Sequence, residues 1–113
     1  MGEEFIKFSF LQIDMVILKN KQLNHLKKII APLLKRNGVV QAGIFGSYAR
    51  GEAKKRSDVD VLVRFRGDIS LLKVIALEDE IEQKIKKKVD LVTYRSLHPL
   101  LKERILEEEV RIL

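Results

Sequence analysis

A Gly-Ser pair and three acidic residues carry the chemistry this sequence can do. Gly46-Ser47 is followed, after the ten residues from Tyr48 to Ser57, by Asp58-Val59-Asp60, and a third carboxylate, Asp90, stands between Val89 and Leu91. On a strand, alternate side chains share a face, so Asp58 and Asp60 point one way and Val59 the other. Two carboxylates about 7 Å apart on one face repel each other. A divalent cation between them removes that cost, and hard oxygen donors suit magnesium, which completes its shell with water and phosphate oxygens. The pair therefore points to a magnesium and phosphate site.

Gly46 lets the backbone turn sharply after a strand ending at Phe45. Ser47 then opens a helical turn whose free N–H groups favour a phosphate, and its hydroxyl can donate to the same group. Asp90, in so apolar a segment, needs a cation or hydrogen-bond donors as partners. If its strand lies beside that of Asp58 and Asp60, three carboxylates converge, the cluster that two-metal phosphoryl-type transfer requires. Arg50 has a planar fork that suits a phosphate; the alternative is a surface Arg paired with Glu52. Lys54, Lys55 and Arg56 read as a charged, solvated loop near the site. Tyr48 and Tyr94 could stack on a base, although packing is the commoner fate of a tyrosine. His25 and His98 lack metal-ligand spacing, and Ser47 lacks the G-x-S-x-G surround of a hydrolase nucleophile.

The elements that position these residues follow from periodicity and punctuation. Asn20 to Asn37 reads as a helix with Leu23, Leu26, Ile30, Leu33 and Leu34 on one face, Asn20 as N-cap, and Pro32 kinking or dividing it. Val39 to Phe45 and Val59 to Phe65 read as strands, with one helical turn over Ser47 to Gly51 between them. Ser70 to about Lys87 reads as a second long helix, and Lys88 to Tyr94 as a third strand. A last helix starts around Ser96 and Pro99, with Leu100, Leu101, Ile105, Leu106, Val110 and Leu113 as its apolar side. Partial alternation over Ile6 to Ile17 predicts one further strand in an N-terminal extension, residues 1–19, ahead of a domain over 20–113. Helices interleaved with few strands predict an α/β or α+β sandwich: a small mixed sheet flanked by helices.

Composition bounds the function. The chain has 113 residues, with 22 Lys and Arg against 16 Asp and Glu, a net charge of +6. It has no cysteine, which excludes a disulfide scaffold, a thiolate zinc site and a cysteine nucleophile. The acidic start Met1-Gly2-Glu3-Glu4 does not read as a secretory signal, and Phe5 to Leu18 is too short and too interrupted to span a bilayer. The expectation is a cytoplasmic protein that does not enter a membrane.

The order apolar-Gly-Ser, a loop of about ten residues, then Asp-apolar-Asp-apolar resembles the DNA polymerase β-like nucleotidyltransferase superfamily. The stretch GSYARGEAKKRSDVDVLV is most similar to the minimal nucleotidyltransferases, small prokaryotic proteins that often act as antitoxins to HEPN-domain toxins. The resemblance spans about Leu23 to Leu113. It implies the polymerase β-like fold, with Asp58 and Asp60 as magnesium ligands holding a nucleoside triphosphate. It further implies Gly46 and Ser47 as triphosphate binders, and Asp90 as the third metal-site carboxylate, which orients or deprotonates an attacking hydroxyl. The implied activity is transfer of AMP from ATP, with two Mg2+ ions as cofactor, to a tyrosine hydroxyl of a HEPN-type toxin bound in a hetero-oligomer. Only the final helix remains beyond the catalytic core, so a partner protein is expected to present the hydroxyl. Two other readings stand beside this one. The chain could neutralise a HEPN ribonuclease by complex formation without catalysis, its basic surface facing an acidic patch. A nucleic-acid nucleotidyltransferase would suit the +6 charge, but aromatic residues are 6% of the chain and no recognition motif is present.

Overall fold

The computed structural model describes residues 20–113; the strand expected over Ile6 to Ile17, and the extension 1–19, lie outside the described residues. Helix α1 spans Lys21–Arg36 and starts where Asn20 accepts the Leu23 N–H at 3.1 Å. That bond satisfies one of the donors a helix start leaves unpaired. The helix buries Leu23, Leu26, Ile30, Leu33 and Leu34, the stripe its spacing predicts. Pro32 lies inside it, and the helix runs on as one element to Arg36 instead of dividing there.

Strand β1 (Val39–Phe45) leads into a four-residue helix, α2 (Ser47–Arg50), and then through the charged loop to β2 (Val59–Phe65). Helix α3 (Leu71–Ile85) starts at Ser70, whose hydroxyl accepts the Lys73 N–H at 3.3 Å. Strand β3 (Val89–Thr93), a single 3-10 turn (Tyr94–Ser96), helix α4 (Pro99–Glu108) and strand β4 (Val110–Arg111) complete the chain. The sheet order is β3-β2-β1-β4. β1 is antiparallel to both β2 and β4, while β2 and β3 are parallel and joined through α3, so the sheet is mixed.

The two faces of the sheet differ in chemistry. Val59, Val61, Val63, Val89 and Leu91 join the core with the α1 leucines and with Leu77 and Ile81 of α3. By alternation, Asp60 and Asp90 lie on the opposite face, where the 3-10 turn contacts β2 and α4 contacts β1. The outer edge of β3 is closed by α3: Val89 N–H donates to Glu82 Oε1 (3.0 Å) and Leu91 N–H to Glu78 Oε2 (2.8 Å). Side-chain acceptors here do what a fifth strand would otherwise do, and they hold the backbone on either side of Asp90.

The last helix ends sooner than its apolar pattern predicts. Leu106, Val110 and Leu113 keep near-helical spacing, yet the helix stops at Glu108 and Val110–Arg111 pair with Gly43 and Ile44 of β1. Val110 and Ile112 are buried and Arg111 between them is exposed, the period of a strand. Leu100, Leu101 and Leu106, expected on a buried side, are exposed, and α4 fully buries none of its residues. No helix among the described residues is long and apolar enough to cross a membrane.

Candidate active site

Sheet register gathers the chemically informative residues at one end of the fold. Phe45 at the end of β1 is the partner of Asp60 on β2, so the Gly46-Ser47 turn leaves the sheet beside that carboxylate. Asp60 is in turn the register partner of Asp90 across the parallel β2–β3 pair. Asp58 precedes β2, at the end of the charged loop. That loop is held by Lys54 N–H donating to Ser57 Oγ (2.8 Å) and by Val59 N–H donating to the Lys88 carbonyl (2.9 Å).

Gly46 needs to be glycine for two separate reasons. Its φ of 73° and ψ of −151° fall in a region that residues with a Cβ scarcely enter. A Cβ built there would overlap Oδ2 of Asp60 and lie 3.2 Å from its Cγ. The backbone of the turn and the carboxylate are thus in direct apposition. Together they form one wall of a cleft of about 420 Å³, lined also by Ser47, Asp58, Arg50 and, from α4, Glu108. Asp90 is exposed on the neighbouring strand and does not line this cleft.

The electrostatics are those of crowded carboxylates. Burial pushes the Asp60 carboxyl above its ordinary range, and the neighbouring Asp90 and Asp58 push it the same way, with Arg50 opposing. Among the described residues, no three His, Cys, Asp or Glu side chains are gathered closely enough to hold a metal ion. The three aspartates stand as neighbours at the end of the sheet without closing on one point. Their oxygens are the donor type a hard cation takes, and Asp60 is the residue whose charge such a cation would relieve.

Arg50 is held between two carboxylates. Its Nε donates to Glu52 Oε2 (3.0 Å), and its Nη1 reaches Glu108 Oε2 (3.2 Å) and Oε1 (3.3 Å). Glu108 Oε1 also accepts the Gly46 N–H at 3.0 Å. Sequence reasoning missed Glu108. Its only signal was the run Glu107-Glu108-Glu109 at a helix C-terminus, where the helix dipole disfavours carboxylates.

The remaining candidates have structural placements. Tyr48 is buried in the core, with Lys87 Nζ 5.9 Å from its ring centre. The Tyr94 hydroxyl donates to Glu109, and burial followed by that bond raises its pKa above the usual phenol value. Lys54, Lys55 and Arg56 are exposed and none of them lines the cleft. His98 caps α4 by accepting the Leu100 N–H through Nδ1 at 3.2 Å.

Comparison with known proteins adds a second line of observation. The family model described as polymerase beta, nucleotidyltransferase, matches residues 27–113. A Methanocaldococcus jannaschii protein named as a putative protein adenylyltransferase is 50% identical over 91 residues, 80% of this chain and 98% of that protein. The protein adenylyltransferase MntA of Thermococcus cleftensis is 48% identical over 80 residues, 71% of this chain and 81% of that one. Among solved structures, one described as a putative minimal nucleotidyltransferase is similar with a TM-score of 0.70 and 37% identity, over 80% of this chain and 92% of that chain. The fold is also that of a chain in a structure described as a tri-AMPylated Shewanella oneidensis HEPN toxin in complex with MNT antitoxin, with a TM-score of 0.64 and 21% identity over 80% of this chain and 71% of that chain.

Proposed function

The chain belongs to the polymerase β nucleotidyltransferase family, and from that premise we propose that it is an antitoxin that transfers AMP from ATP to a hydroxyl of a partner HEPN-type toxin. The observation that carries this reading is the apposition of the Gly46 turn and Asp60 at one cleft, with Asp90 in register beside Asp60. A phosphate-binding turn and acidic residues must meet in that way for phosphoryl-type transfer. Residues 20–113 form the nucleotidyltransferase domain and 1–19 an extension to it. The names of the relatives support a protein acceptor. Leu100, 86% exposed on α4, and Leu101 at the cleft wall support an approach by another protein over that helix.

The residues take roles set by where they stand. Gly46 and Ser47 offer a backbone N–H and a hydroxyl to the triphosphate, and the Arg50 guanidinium borders the same space. Asp58 and Asp60 would hold magnesium, with Asp90 as the third carboxylate of the set. Magnesium, when bound, supplies the positive charge that offsets the triphosphate and the developing charge on its leaving end. Asp90, exposed on the strand beside Asp60, takes the role of orienting the acceptor hydroxyl and accepting its proton. The hydroxyl oxygen bonds to the α-phosphorus, the bond to the β-phosphate bridging oxygen breaks, and pyrophosphate leaves. The setting proposed is the cytoplasm, where ATP is available.

The test is to mix the purified protein, ATP labelled at the α-phosphate, magnesium and the toxin encoded beside it. Label should appear on the toxin and vanish with the double variant Asp58→Asn, Asp60→Asn, while the two proteins still co-elute. Absence of label with the unaltered protein would overturn the enzymatic reading. Full protection of cells by the double variant would replace it with neutralisation by binding alone.

A further inference from the structure

Glu108 holds the donors that the proposed function assigns to phosphate. One of its oxygens accepts the Gly46 N–H at 3.0 Å, and both lie within 3.3 Å of Arg50 Nη1. Its side chain is only 15% exposed, so the carboxylate is tucked into the cleft and not spread on the surface. We propose that Glu108 is a built-in competitor for the nucleotide's phosphates: it fills their subsite in the free protein and withdraws when a triphosphate binds. The inference rests on the assignment of Gly46 and Arg50 to the triphosphate.

Three features support a removable occupant over a permanent brace. A carboxylate and a phosphate are both planar or tetrahedral oxyanions that take the same N–H and guanidinium donors. A triphosphate entering the cleft would bring several negative charges against Glu108 beside Asp58 and Asp60, so the two anions cannot share the site cheaply. The surroundings also stay fixed when Glu108 leaves. Arg50 remains held by Glu52 at 3.0 Å. The backbone after Glu108 is anchored by the Tyr94–Glu109 bond and by β4 on β1. Withdrawal therefore needs rotation of one side chain and no movement of α4.

A competitor that must be displaced lowers the apparent affinity by the fraction of molecules with a free subsite. The full chain and its Glu108→Gln and Glu108→Ala variants are titrated with a non-hydrolysable ATP analogue and magnesium by calorimetry, with Glu107→Gln as control. Both Glu108 variants should bind about tenfold more tightly, because the Arg50 side of the ion pair is partly solvated and the pair is of modest strength, and Glu107→Gln should bind like the unaltered chain. The amide resonance of Gly46 supplies a readout without nucleotide: it should move in the Glu108 variants, and move on nucleotide binding in the unaltered chain. Equal or weaker binding by Glu108→Gln, with an unchanged melting temperature, would overturn the competitor and make Glu108 a support for the Gly46 turn. If Glu108→Ala fails to fold, the isosteric Gln variant decides. If the unaltered chain binds no nucleotide at all, the nucleotidyl-transfer reading falls and this one with it; binding without a gain in the variants overturns this one alone.

Discussion

Asp60 and Asp90 are register partners on adjacent parallel strands, two carboxylates side by side on the face of the sheet away from the main core. The fold holds the Asp60 carboxyl above its ordinary value of 3.8 through burial first, then Asp90, then Asp58. A carboxyl whose pKa is raised by folding favours the folded state when protonated, below the unfolded value, and costs stability as pH rises through the folded value. Asp60→Asn should therefore melt a few degrees higher than the unaltered chain at neutral pH, and that gain should fade by about pH 3. The same variant should lose transfer activity. Calorimetric melts at the two pH values check the sign; a variant that is less stable at neutral pH would contradict the account.

Gly46→Ala should do the reverse. The backbone at φ 73°, ψ −151° is costly for any residue with a Cβ, about 1–3 kcal/mol, and the added methyl meets the Asp60 carboxylate. Loss of stability in a denaturant titration should accompany loss of nucleotide binding. An alanine variant as stable as the parent would show that the turn is not in this conformation in solution.

Much of this fold was legible because local signals and tertiary packing agree. Asn20 and Ser70 act as the caps their residue types predict, and α1 buries its whole expected stripe, whereas α3 buries only Leu77 and Ile81 and leaves Leu71, at the start of its apolar spacing, exposed. The meeting of Gly46 with Asp60 was legible from the strand ends. The C-terminal strand was not, because Leu106, Val110 and Leu113 satisfy helical spacing as well as Val110 and Ile112 satisfy a strand's period of two. Only the free edge of β1, a tertiary fact, decides between them. Glu108 was hidden for the same kind of reason. Its partners, Gly46 and Arg50, lie 62 and 58 residues away in the chain.

The β3 edge makes a separate prediction. Glu78 receives the Leu91 N–H, next to Asp90, at 2.8 Å. Glu78→Ala removes that acceptor and should cost about 1–3 kcal/mol, the range for a buried donor left unsatisfied. Hydrogen exchange at the Leu91 amide should accelerate. Glu78→Gln, which keeps a carbonyl oxygen, should recover most of the protection. Equal exchange rates in all three proteins would mean that the edge is not closed by α3.

Tyr94 and Glu109 tie the last strand's approach to the sheet, with Glu109 lying against Gly43 of β1 so closely that a side chain at residue 43 would displace it. Tyr94→Phe strips the donor from a half-buried carboxylate and should cost about 2 kcal/mol, as for a hydrogen bond to a charged group. The pH dependence has a definite sign. Folding raises the Tyr94 pKa above its ordinary value of 10.0, burial first and the Glu109 bond second. Its contribution to stability is therefore complete below pH 10 and is lost as pH rises beyond it, toward the folded value. The stability difference between the parent and Tyr94→Phe should be constant through neutral pH and shrink in the alkaline range. The phenolate absorbance assigned to Tyr94 by subtraction should appear later than that of a free tyrosine. A phenolate that forms at the ordinary value would show that the hydroxyl is not held by Glu109, and with it the anchor that keeps the backbone beside Glu108 in place would be lost.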